Sequence, residues 1–114
     1  MPYGNNDWLA LTQEPTLEPD LPICDPHHHF WDRRPASIPY QRYLLHELND
    51  DIYSGHNIIS TVFLEARSMY SVDAAEKLRS VGEVEFVQGL AAASASGVYG
   101  SSRAAAGIMG YADL

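Results

Sequence analysis

Apolar and polar positions fall into a strand-then-helix rhythm that starts after residue 20. "LPICDPHHHF" (21–30) reads as a short strand running into a loop, bounded by Pro22 and a polar, Pro-bearing segment. Pro26 has no N–H to give to a ladder, so regular pairing should stop near it or bulge there. From Tyr40, "YQRYLLHELNDDI" carries apolar residues at 40, 44, 45, 48 and 52, a helical spacing. "HNIISTVFLEA" is a nearly continuous β-branched and aromatic run, the pattern of a strand covered on both faces. "SVDAAEKLRSVG" predicts a helix capped by Ser71 or Asp73. "EVEFVQGLAAASAS" fits two states. Val84, Val87, Leu90 and Ala91 share one helical face, while "VEFVQGLA" also suits a strand; the alanine content favours a helix stopping around Gly97. "AAGIMGYADL" predicts a third strand, with Gly107 and Gly110 permitting close backbone approach.

Strand, helix, strand, helix, strand in this order predicts an α/β architecture with a parallel sheet. Three strands make a poor finished sheet. An eight-unit barrel takes about 250 residues, so the expectation is an incomplete polypeptide: the N-terminal part, about three β/α units, of a (β/α)8 barrel over residues 21–114. Residues 1–20 hold three of the seven prolines and little periodicity. They are expected to form an N-terminal arm, extended over the body or disordered, with Trp8 and Leu9 as candidate anchors.

Charge narrows the partners. The formal net charge is -8, and only Arg33 and Arg34 sit side by side, directly after Asp32. That argues against a phosphate-backbone partner, which leans on clustered Lys and Arg. No apolar run approaches the roughly 18–20 residues of a membrane span, and no basic-then-apolar leader opens the chain. Cys24 is the single cysteine, so no internal disulfide forms, and a reducing compartment is compatible. The expectation is a cytoplasmic protein with a small-molecule partner, no nucleic acid and no membrane.

The candidate chemistry lies in "DPHHHFWD" (25–32). On a strand, successive side chains alternate, so Asp25, His27 and His29 should share one face and Cys24, Pro26 and His28 the other. Two imidazoles at i and i+2 reach one ion, and neutral ring nitrogens suit zinc and other borderline divalent metals. Asp25 is then placed to fix an imidazole tautomer or to act as a distant ligand. His28 is expected to pack away from the pair. The competing reading is a solvated His cluster, because a bare H-x-H carries little specificity.

"ICDPHHHFWD" resembles the first strand of the amidohydrolase-related family of metal-dependent TIM-barrel hydrolases, which includes sugar-lactone and pyrone-dicarboxylate lactonases. The family's D-x-H-x-H, aromatic pair and following Asp are matched by Asp25, His27, His29, Phe30, Trp31 and Asp32. "YLLHELNDDI", "GHNIISTVFLEARSMY" and "GIMGYADL" are also similar, so the resemblance covers most of residues 21–114. It implies a site at the carboxyl ends of the strands, with His27 and His29 holding a divalent metal, most simply zinc. That metal would activate water for attack on a lactone or another cyclic ester or amide. Further ligands and the general base would come from later strands, leaving no catalytic acid or base in this segment and an inactive fragment. Relatives that use their histidines for substrate without a metal, and carboxy-lyases or hydratases on the same fold, are the alternatives, together with an inactive metal-binding fragment.

Glu65, ending "TVFLE", should share a face with Thr61 and Phe63 and, at a strand's carboxyl end, point to the barrel mouth as a substrate-binding residue; the competing role is a pair with Arg67. Trp31 is the second substrate-binding candidate, with Phe30 and Tyr70 as further pocket walls or ordinary core. Arg34, Arg67 and Arg103 are candidates for gripping a substrate carboxylate, against the commoner role of a surface arginine. His46 and His56 read as solvated surface residues, and Cys24 as a small buried hydrophobe facing the helices. A partial barrel exposes a strand edge and apolar faces, so self-association is expected.

Overall fold

The chain alternates strand and helix because its β-branched runs need partners on both edges and its amphipathic segments need a face to cover. A computed structural model describes residues 6–114. A short helix α1 (Asn6–Leu9) leads into a 3-10 turn at Ala10–Thr12. Then come β1 (Pro22–His28), α2 (Leu45–Ile52), β2 (Asn57–Leu64), α3 (Val81–Ala95) and β3 (Arg103–Met109). The three strands form one parallel sheet in the order β1-β2-β3. The protein is therefore α/β. No helix among the described residues is long and apolar enough to cross a membrane.

Three expectations change. The N-terminal arm, expected extended or disordered, is helical over Asn6–Thr12, although Trp8 and Leu9 remain exposed; residues 1–5 of that arm lie outside the described residues. The second helix starts at Leu45, not Tyr40, because Tyr43 exchanges both backbone hydrogen bonds with Trp31 and is held extended. The helix expected from Ser71 is absent. Glu76–Leu78 makes only a 3-10 turn, and the helix begins at Val81. Gly82 explains the shift, since a Cβ there would sit 2.6 Å from the Met69 carbonyl oxygen and 2.8 Å from Ser71 N. Only glycine lets α3 approach the loop after β2 so closely. Residues 84–92 are helix, and Gly97, at φ +80°, supplies the left-handed residue just beyond its end.

The register decides which side chains share a face. In β1–β2, Ile23 pairs with Ile58 and Cys24 with Ser60, so Ile59 is extra. Asp25 then pairs with Thr61 and His28 with Phe63, so β1 carries one extra residue across Pro26–His27. This is the bulge that a proline without an N–H imposes. Paired residues of a parallel ladder point the same way. One face thus carries Ile23, Asp25, His28, Ile58, Thr61 and Phe63; the other carries Cys24, Ser60, Val62 and Leu64. In β2–β3, Ser60 pairs with Arg103 and Val62 with Gly107, a wider bulge in which Ala105 takes φ +51°.

Helices α2 and α3 contribute to the core, and α1 buries no residue. Phe30 stacks on Phe63 at 5.7 Å, surrounded by Leu45, Leu48 and Ile52 of α2, Val87 of α3, and Ala104 and Ala105 of β3. The opposite face is thinly covered, with Cys24 and Met109 exposed. The central strand was expected to be covered on both faces; Thr61 and Phe63 are fully buried, while Ser60, Val62 and Leu64 are only half-buried.

Candidate functional site

The bulge at Pro26–His27 aims the histidines. His27 and His29 converge, with their Nε2 atoms 3.4 Å apart and their rings edge-to-face at 84°. His29 Nδ1 lies 2.8 Å from the Leu64 carbonyl oxygen at the end of β2. A carbonyl only accepts, so Nδ1 carries the proton and donates it, and neutral His29 turns the Nε2 lone pair toward His27. Two nitrogens bound to one tetrahedral zinc at about 2.0–2.1 Å lie about 3.3–3.4 Å from each other. The observed separation suits two corners of such a shell. A third corner is absent: the described residues contain no group of three or more His, Cys, Asp or Glu able to hold a metal.

Asp25 is not on the face of the pair, a correction to the simple alternation. The bulge turns it to the covered face, where its Oδ1 accepts from His27 N at 3.2 Å and closes the turn. Cys24 exchanges places with it and is exposed, not buried against helices. A two-residue period cannot register an extra residue in either strand.

His28 is buried away from the other two. Its Nε2 lies 2.8 Å from Thr61 Oγ1, and that hydroxyl accepts from Ala105 N at 2.8 Å. Thr61 Oγ1 and His28 Nε2 thus share a hydrogen bond inside the core, while His28 Nδ1 is a buried atom with no hydrogen-bond partner. Burial pushes the His28 pKa below its ordinary value of 6.5, against a smaller opposing pull from the His29 backbone and Asp25.

Beside His29 opens a cleft of about 330 Å³, walled by Trp31, Arg34, Tyr40, Tyr43 and Asp51, with Leu9 of α1 on its rim. The Arg34 guanidinium lies 5.5 Å from the Trp31 ring centre and 5.0 Å from that of Tyr40. Tyr43 donates its hydroxyl to the Asp51 carboxylate. The loop is clipped by Gln41, whose Oε1 accepts from Arg34 N at 2.9 Å and whose amide donates to the Ile38 carbonyl at 3.1 Å.

The other candidates scatter. Glu65 accepts from Arg67 N at 3.2 Å and from the Tyr70 hydroxyl at 3.4 Å, contacts of the loop after β2 and not of the histidines. Phe30 is core, not pocket wall. Arg103 donates to the Gly100 and Ser101 carbonyls, and Arg67 is exposed. His46 meets the Tyr99 ring edge-on at 5.3 Å, and His56 is exposed, so neither joins the pair. Glu83 escaped sequence reasoning. It is buried in the first turn of α3, where one carboxylate oxygen accepts from Ala66 N at 3.0 Å and Ser68 N at 2.8 Å. Glu47 is likewise buried, paired with Arg42 at 2.6 Å.

No protein-family model matches the chain, and no curated protein and no solved structure matches it.

Proposed function

We propose that the chain is the first part of a (β/α)8-barrel hydrolase of the amidohydrolase-related kind, with His27 and His29 as two ligands of a catalytic divalent metal, zinc by donor type. The observation that carries this reading is the 3.4 Å approach of the two Nε2 atoms, with His29 held in the Nδ1–H tautomer by the Leu64 carbonyl. A backbone acceptor behind a metal-binding imidazole is the arrangement that orients such ligands. Sequential parallel strands joined through helices, with the pair at the carboxyl end of β1, also suit the start of a barrel.

When bound, the ion would lower the pKa of a coordinated water toward neutrality. The substrate would be a lactone or another cyclic ester or amide. His29 would stay fixed on the end of β2, and the exposed His27 would complete the pair as its rotamer settles. The remaining ligands and the carboxylate that moves the proton would come from later strands, so this segment alone does not turn over substrate.

Zinc titration followed by calorimetry tests the reading. His27→Ala and His29→Ala should each weaken binding by about tenfold, the step worth roughly 1.4 kcal/mol, while His28→Gln leaves it unchanged. Equal affinity in all three variants and the parent chain overturns the assignment.

A further inference from the structure

A second feature of the cleft stands apart from the metal reading. The chain is acidic, with fifteen Asp and Glu against seven Lys and Arg. Yet the Arg34 guanidinium has no carboxylate partner among the described residues, whose one ion pair joins Arg42 to Glu47. Its Nε is buried without a hydrogen bond. Arg34 shares the lack of an ion pair with other cations of the chain; what marks it is the buried Nε, since a buried donor without an acceptor is destabilising.

Two rings hold it there. With the Trp31 and Tyr40 ring centres 5.5 and 5.0 Å from the guanidinium carbon, its charge is stabilised by the ring quadrupoles. The rings are not hydrogen-bond acceptors for its N–H groups in the way a carboxylate is, and a planar guanidinium can bind a carboxylate bidentately. Gln41 fixes the loop through Arg34 N, so the arginine is positioned before any ligand arrives. On the same cleft, Asp51 already holds the Tyr43 hydroxyl and would repel an anion, so the cleft is polarised. Its volume of about 330 Å³ lies at the small end of ligand sites.

We infer that this cleft binds a small organic carboxylate, with Arg34 gripping the carboxylate and the ligand body lying beside Trp31 toward His29. Arg33, exposed and adjacent, takes no part.

The test uses the full chain with EDTA present, so that it is independent of any metal at the histidines. Benzoate is the probe and benzamide its neutral isostere, followed by calorimetry and by the indole N–H resonance of Trp31. Benzoate should bind saturably in the millimolar range or tighter and shift the Trp31 signal, and benzamide should do neither. Arg34→Gln should weaken benzoate by at least about tenfold, and Arg33→Gln by less than about twofold. No binding by the parent chain, equal binding of benzamide, or equal loss in the two arginine variants overturns the inference. If Arg34→Gln does not fold, the benzoate–benzamide comparison and the Trp31 shift on the parent chain decide alone. Failure here leaves the zinc titration untouched, and failure there leaves this untouched.

Discussion

Thr61 Oγ1 lies 2.8 Å from His28 Nε2, and the same oxygen takes the Ala105 N–H at 2.8 Å. A single hydroxyl in the central strand thus ties together the irregular stretches of both neighbours: the Pro26 bulge of β1 and the left-handed Ala105 of β3. Register is irregular at both places; the threonine hydroxyl takes a backbone N–H at Ala105 and a side-chain nitrogen at His28. Because the β1 bulge also separates His28 from His27 and His29, the geometry of the exposed pair depends on this buried contact.

Replacing Thr61 with Val keeps the shape and removes the hydroxyl. Ala105 N–H and His28 Nε2 then lose their partner inside the core. The expected loss is about 1–3 kcal/mol, the penalty for an unsatisfied buried group, read as a lower urea midpoint. An unchanged midpoint would mean the hydroxyl is dispensable.

His28 makes stability fall in acid. Burial lowers its folded pKa below the ordinary 6.5, so the unfolded chain binds the proton more readily. Its contribution is therefore intact above 6.5 and declines as the pH drops from there toward the folded value. His28→Gln keeps a group that can donate to or accept from Thr61 but does not titrate. In EDTA, the variant should lose less stability than the parent between neutral pH and about pH 5. Parallel pH curves for the two would contradict this.

Glu83 anchors the loop after β2 through two backbone N–H groups. Glu83→Ala should cost about 1.5–3 kcal/mol, since hydrogen bonds to a charged acceptor are the stronger kind. It should also speed amide exchange at Ala66 and Ser68. Slow exchange retained at both would show that the loop is held by something else.

Gly82 should tolerate no side chain. Its missing Cβ faces the backbone at Met69 and Ser71, which cannot swing aside as a flexible side chain would. Gly82→Ala is expected to destabilise by about 1–3 kcal/mol, despite alanine's better helix propensity. A gain in melting temperature would contradict the close approach.

Much of this was legible because it rests on local chemistry. The apolar period of residues 44–52 and the alanine-rich run at 81–95 announce helices, and Pro26 announces a break in pairing. The His27–His29 pair was visible because the two imidazoles keep their two-residue spacing and converge. What the spacing hid was the residue gained before it, which moves Asp25 to the covered face and Cys24 to the exposed one. Bulges arise from pairing with a second strand, so one strand's pattern does not carry them. The Arg34 stack was out of reach for the same reason: Trp31 and Tyr40 meet it only because Tyr43 pairs back to Trp31. Glu83 carried no signal of its own in the sequence, and it is buried where the neighbouring Gly82 lets α3 approach the loop after β2.

Imidazole 15N NMR of the chain titrated with zinc reads the central geometry most directly. The Nε2 resonances of His27 and His29 should move together to metal-bound positions, with His29 Nδ1 remaining protonated on the Leu64 carbonyl and both His28 nitrogens unchanged. A shift at only one of the pair, or at His28, would contradict a shared ion between residues 27 and 29.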